Sequence, residues 1–235
     1  MKLSAPVYHL KRNAKRLARE KGIPLHDALD RVAAGEGFAR WSLLAAKSAA
    51  PLSPRDLFAL LKPGELVLVG ARPGHGKTLL SLELTVEAMK AGGRGAFFSL
   101  EATQRDIEKS FRTIGVDWTD FRPLFDFDSS DAICADYIIS KLASAQHGTF
   151  VVVDYLQLLD QKREKPALMI QVQALRSFAQ ARGLIIVFIS QVDRSFDPAR
   201  KPLPDLADVR LPNPLDLSLF GKTCFLHDGQ IQLRC

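Results

Sequence analysis

Residues Leu66 to Thr78 read Leu-Val-Leu-Val-Gly-Ala-Arg-Pro-Gly-His-Gly-Lys-Thr, an apolar strand that breaks into a glycine-rich turn and opens a helix. This arrangement suits phosphate. Glycines at 74 and 76 let successive backbone N–H groups converge on phosphate oxygens, and a helix starting near Lys77 adds the positive end of its dipole. In such a loop Lys77 reaches the β- and γ-phosphates and the Thr78 hydroxyl ligates Mg2+. The nucleotide-contacting stretch is then Ala71, Arg72, Pro73, Gly74, His75, Gly76, Lys77, Thr78 and Leu79. The strict pattern opens on glycine, a position held here by Ala71.

A triphosphate site needs a second metal ligand. Thr149-Phe150-Val151-Val152-Val153-Asp154 is an apolar strand ending in a carboxylate. Ligands gather at the carboxyl ends of parallel strands, so Asp154 is expected beside the loop as a Walker B acid, the alternative being a cap on the following turn. Two further strands end in useful groups: Gly95 to Leu100 leads to Glu101, and Leu184 to Ser190 leads to Gln191. A carboxylate near the γ-phosphate accepts a proton from the attacking water, and a neutral amide senses the γ-phosphate. Simple loop chemistry is the alternative for each of them. With Glu101 as base, His75 is read as a tolerated exposed side chain.

These motifs, in this order, resemble the DnaB-type replicative helicases of the RecA-like ATPase class. The family's phosphate loop reads Ala-Arg-Pro-x-x-Gly-Lys-Thr, as Ala71 to Thr78 do. Phe97-Phe98-Ser99-Leu100-Glu101 is similar to the strand bearing its catalytic glutamate. Val152-Val153-Asp154-Tyr155-Leu156-Gln157-Leu158-Leu159 is similar to its Walker B segment, and Ser190-Gln191-Val192-Asp193-Arg194-Ser195 to its sensor segment. The resemblance covers roughly residues 62 to 235. It implies ATP and Mg2+ as cofactors, DNA, single-stranded, as partner, and assembly into a homo-oligomeric ring or filament. A DNA-facing segment is implied over 201–220, anchored at Asp205-Leu206. A trans-acting Lys-x-Arg finger, laid on Lys222-Thr223-Cys224, keeps Lys222 as a catalytic residue and puts Cys224 where the arginine stands. Two functions stay open: a DNA helicase or translocating motor, and an ATP-dependent DNA-binding or regulatory switch that assembles on nucleotide without unwinding.

The elements that must position these residues alternate. Helices are expected over Leu79 to Ala91, Thr103 to Ile114, Asp131 to Gln146 and Pro166 to Ala181, between the strands already named. Such alternation builds an α/β fold, a mostly parallel sheet covered on both faces. Leu217 to Phe220, Cys224 to His227 and Gln230 to Leu233 read as closing strands, the last two joined by a turn at Asp228-Gly229.

The chain has 235 residues, is 47% apolar and carries a net charge of +6. That length suits one domain with a small extension. The charge is lopsided: residues 1–50 hold ten Lys/Arg against four Asp/Glu, while the remainder holds 22 of each. Residues 1–48 read as a small basic helical module, with helices over Tyr8 to Lys21, Pro24 to Ala33 and Phe38 to Ala46. Leu10, Ala14, Leu17 and Ala18 face inward in the first helix, and Lys11, Arg12, Lys15, Arg16 and Arg19 face solvent. Those charges suit nucleic-acid phosphates or a plain solvated surface. Trp41 is expected in the module's core. Residues 49–61, opening Ala-Ala-Pro-Leu-Ser-Pro, read as a linker, and 62–235 as the ATPase domain. This module does not resemble the primase-contacting domain of the replicative helicases, so primase recruitment is not implied. Cys134, Cys224 and Cys235 lack paired or metal-ligand spacing, which suits a reducing cytoplasm. Neither a membrane span nor a signal peptide is expected.

Overall fold

The computed structural model describes residues 7–48, 53–160, 166–211, 213–228 and 230–234. Linker residues 49–52, the turn residue Gly229 and Cys235 lie outside the described residues. The chain divides into two compact units, residues 1–51 with 197–203, and 52–196 with 204–235.

The first unit holds α1 (Val7–Lys21), α2 (Leu25–Gly35) and α3 (Trp41–Ser48). Leu10, Ala33 and Leu44 are buried together, with Val32, Phe38 and Trp41 packed against them. The side chains of Lys11, Arg12, Lys15, Arg16 and Arg19 are exposed along α1.

The second unit runs α4 (Pro54–Ala59), β1 (Leu66–Ala71), α5 (Lys77–Lys90), β2 (Gly95–Ser99), α6 (Gln104–Thr113), α7 (Trp118–Phe121), β3 (Phe125–Asp128), α8 (Ala135–Lys141), β4 (Phe150–Asp154), α9 (Leu168–Arg182), β5 (Ile185–Gln191), β6 (Lys222–His227) and β7 (Gln230–Arg234). The sheet order is β3-β2-β4-β5-β1-β6-β7, parallel throughout except for the antiparallel β6–β7 pair. The fold is the α/β, RecA-like arrangement expected of the sequence. Strands β1, β2 and β4 are buried along their whole length, as a parallel sheet covered on both faces requires. One face packs on α8 and α9 through Val151, Val153, Ile138, Val172 and Leu175. The other packs on α4, α5 and α6 through Val67, Val69, Leu57, Leu82, Val86, Ile107 and Phe111. Helix α6 starts on a capping box in which the Asp106 N–H donates to the Thr103 hydroxyl and the Thr103 N–H to the Asp106 carboxylate.

Three sequence readings change. Residues 54–59, inside the expected linker, form α4, started by Ser53, whose hydroxyl accepts from the Asp56 N–H, and fastened by the buried Leu57. Leu217–Leu219 is a turn of 3-10 helix, because the Asp216 carboxylate takes the Ser218 N–H and closes it locally. Strand β3 is an addition to the expected elements: its Phe-Asp-Phe-Asp alternation belongs to a sheet edge, with Phe125 and Phe127 turned onto Phe97. Among the described residues no helix is long and apolar enough to cross a membrane.

Candidate nucleotide-binding site

β1 delivers Ala71, 0% exposed, to the start of the glycine-rich loop. Gly74 and Gly76 take φ of 81° and 84°, in the left-handed region that L side chains avoid, and Gly76 caps α5. Space around both is open: an added Cβ would meet no heavy atom within 4 Å. The loop therefore leaves its backbone open for a ligand to approach, with Lys77, Thr78 and Leu79 in the first turn of the helix. Pro73 is exposed on the loop. Arg72 turns away from it, donating to the Arg194 carbonyl at 2.8 Å and to the Phe196 carbonyl, its guanidinium 5.4 Å from the centre of the Phe196 ring.

The register brings the other groups to the same end of the sheet. Asp154 closes β4 level with Ser99 of β2 and Ile189 of β5, and Gln191 closes β5 level with Ala71. Glu101 follows β2 by two residues, its N–H donating to the Ser99 hydroxyl at 3.1 Å. The Thr78 hydroxyl donates to Asp154 Oδ2 at 3.3 Å. Asp154 is 3% exposed and its Oδ1 has no hydrogen-bond partner. Burial, aided by the Glu101 carboxylate and opposed by the Lys77 ammonium and the Thr78 hydroxyl, pushes the Asp154 pKa up to about 6. A buried, half-satisfied carboxylate touching a loop hydroxyl is a donor set suited to a hard dication, which takes hydroxyl and carboxylate oxygens. This donor set fits Mg2+, which Thr78 and Asp154 would hold.

Lys222 stands elsewhere. It pairs with Val67 at the start of β1, about 13 Å along the strand from the loop at 3.3 Å per residue. It is 7% exposed, its ammonium bound to the Glu65 carboxylate. A side chain so held is unavailable to a neighbouring subunit, and the finger reading of Lys222 is corrected to a structural ion pair. Cys224, level with Val69, is buried too, and burial pushes its thiol up to about 12. Removing one partner of such a pair strands a charge, so Lys222→Ala is expected to lower stability by about 3 kcal/mol in urea unfolding. The double variant Glu65→Gln/Lys222→Met should recover most of that loss; an equal loss in both would deny the pairing.

The β6 residues that do lie at the phosphate end are His227 and, in the turn, Asp228. Leu226 is level with Ala71, so His227 comes opposite the loop. Its ring stacks on His75 at 4.8 Å and 18°, and meets Phe196 edge-on at 5.3 Å. His75 is thus part of a packed group and not a free surface side chain. Counting back from the Asp228-Gly229 turn is the signal that places His227 at the loop.

The KaiC ATPase family model matches residues 60–202. The replicative DNA helicases DnaB of Mycoplasma genitalium and Mycoplasma pneumoniae are 26% and 28% identical to this chain over a matched stretch that covers 63% of it. The chain spans about two fifths of the length of these curated relatives. Among solved structures, an ATPase domain shares the fold with a TM-score of 0.56 at 19% identity, over 78% of this chain and 79% of that one. A DnaB-like replicative helicase, solved with attention to its interactions with primase, does so with a TM-score of 0.54 at 19% identity, over 69% and 47%. Family match, helicase relatives and shared sheet agree on one assignment: the chain belongs to the KaiC ATPase family and carries a RecA-like ATPase domain of the DnaB type.

Proposed function

We propose that this chain is an ATP-hydrolysing motor that moves on DNA in the manner of a DnaB-type helicase. The observation that carries the reading is the meeting of the loop with Glu101, Asp154 and Gln191 at the carboxyl ends of neighbouring strands. The loop N–H groups and the Lys77 ammonium hold the β- and γ-phosphates. Mg2+ between Thr78 and Asp154 would supply charge neutralisation on the phosphate oxygens as the γ-phosphoryl leaves. Glu101 takes the proton of the attacking water, and Gln191 hydrogen-bonds the γ-phosphate. The change travels through residues 192–196: the Val192 N–H is bonded to the Ala71 carbonyl at 3.1 Å, and Arg72 grips Arg194 and Phe196. Assembly into a ring or filament belongs to this reading, and single-stranded DNA is the track. The reading places the protein in the cytoplasm.

A second reading, a nucleotide-dependent DNA-binding switch that does not unwind, is favoured by one observation: Lys222 and Cys224 are buried and offer no trans-acting cation. Strand displacement at saturating Mg-ATP separates the two. Unwinding supports the motor; ATP-dependent DNA binding without displacement supports the switch.

The exposed charges of α1 add a DNA contact. Changing Lys11, Arg12, Lys15, Arg16 and Arg19 together to Gln is expected to weaken single-stranded DNA binding. It should also reduce the slope of log K against log salt by up to about 3.5, at roughly 0.7 per charge. An unchanged slope in a fluorescence titration would return those residues to solvated surface.

A further inference from the structure

Against the phosphate loop, three side chains able to coordinate a metal come together from two separate parts of the sequence. One ligand atom each from His75, His227 and Asp228 lies within 4.8 Å of the others. His75 Nδ1 is 3.6 Å from Asp228 Oδ1, and His227 Nε2 is 3.6 Å from Asp228 Oδ2. The Asp228 N–H donates to His75 Nδ1 at 3.3 Å, a hydrogen bond that a metal on that nitrogen replaces. His227 is 8% exposed, and its Nδ1 has no hydrogen-bond partner. Stacking alone explains two parallel rings. It does not explain a carboxylate set against a nitrogen of each.

We infer that His75, His227 and Asp228 form a binding site for a transition-metal dication of the zinc class, separate from the Mg2+ position between Thr78 and Asp154. At metal–nitrogen distances near 2.0–2.1 Å, tetrahedral ligand atoms sit roughly 3.3 Å apart. With a single carboxylate oxygen as ligand, one histidine–aspartate separation closes by a few tenths of an ångström, and the wider separations, all within 4.8 Å, close by up to about 1.5 Å. His75 has the freedom for the larger adjustment, since it stands between Gly74 and Gly76 with open space at both. Two imidazoles and one carboxylate select Zn2+, Co2+, Ni2+ or Cu2+ over Mg2+, which prefers an all-oxygen shell. Three protein ligands leave a position for water. Asp228, with a side chain 78% exposed, gives the ion a route in. Occupancy joins the phosphate loop to the β6–β7 turn, two segments 153 positions apart in the chain.

The test uses the full chain, stripped of metal and nucleotide, with Co2+ as the spectroscopic probe and Zn2+ as competitor. One equivalent of Co2+ is expected to bind with the visible absorption of a tetrahedral site, to be displaced by Zn2+, and to resist a large excess of Mg2+. His75→Ala and His227→Gln should each weaken binding at least about 30-fold, since each removes a direct ligand. His75→Cys should retain binding and add a thiolate-to-cobalt charge-transfer band absent from the parent. Far-ultraviolet circular dichroism confirms that each variant is folded. The inference is overturned if the parent binds no Co2+ stoichiometrically, if folded His75→Ala binds as the parent does, or if the parent already shows the thiolate band, which would put the metal on cysteine.

Discussion

Glu101→Gln is expected to bind Mg-ATP with the parent's affinity and to hydrolyse it about 10²–10⁴-fold more slowly, the usual contribution of a positioned general base. The substitution keeps the shape and hydrogen-bonding reach of the side chain while removing its ability to take a proton. Glu101 lies beyond the end of β2, exposed, and outside the loop that holds the phosphates. Binding and chemistry are therefore separable at this residue. Fluorescent-nucleotide titration and phosphate-release kinetics on the same sample measure both. Turnover at the parent's rate removes Glu101 from the mechanism; loss of binding moves it into the nucleotide cradle.

Asp154→Asn should act in two opposite directions. Burial raises the Asp154 pKa from 3.8 to about 6, so the nucleotide-free fold prefers the protonated carboxyl and the unfolded chain releases its proton more readily. The sign follows. Below pH about 3.8 the group is protonated in both states and the penalty is absent; it grows from there and is complete above pH about 6. A rise of that size corresponds to about 3 kcal/mol. An uncharged amide of the same shape escapes this cost, so Asp154→Asn is expected to be more stable than the parent at pH 7, by up to that amount. The advantage should shrink steadily as the pH falls towards about 4. The same variant should lose Mg2+-dependent nucleotide binding, a stability gain at the expense of function. Thermal unfolding across this pH range decides: an asparagine variant less stable than the parent at pH 7, or a difference that ignores pH, contradicts the assignment of a strained, ion-seeking carboxylate.

Much of the sheet can be read from the chain because buried parallel strands leave continuous apolar runs. Leu66–Ala71, Phe150–Asp154 and Ile185–Gln191 are such runs, and Asp154 and Gln191 at the ends of two of them mark where the sheet opens to a ligand. β3 escapes because an edge strand has only one face to bury and so alternates Phe with Asp. α4 escapes because prolines that suggest a linker also serve at the first turn of a helix, where the missing N–H costs nothing. The misplacement of Lys222 has a register cause. A motif match fixes residue types but not height along a strand, and five residues separate the Glu65-bound start of β6 from its phosphate-facing end at His227. His75 is hard to read for the same reason, since its partners come from β6 and the turn beyond it and nothing local announces them.

The decisive experiment is steady-state phosphate release by the full chain at saturating Mg-ATP, with and without single-stranded DNA, alongside Lys77→Ala. The proposed motor requires Mg2+-dependent turnover that rises on DNA and falls to background when the Lys77 ammonium is removed, because that charge is what holds the β- and γ-phosphates in the loop. Release that persists undiminished in Lys77→Ala, or a parent that binds ATP and releases no phosphate with DNA present, would contradict it.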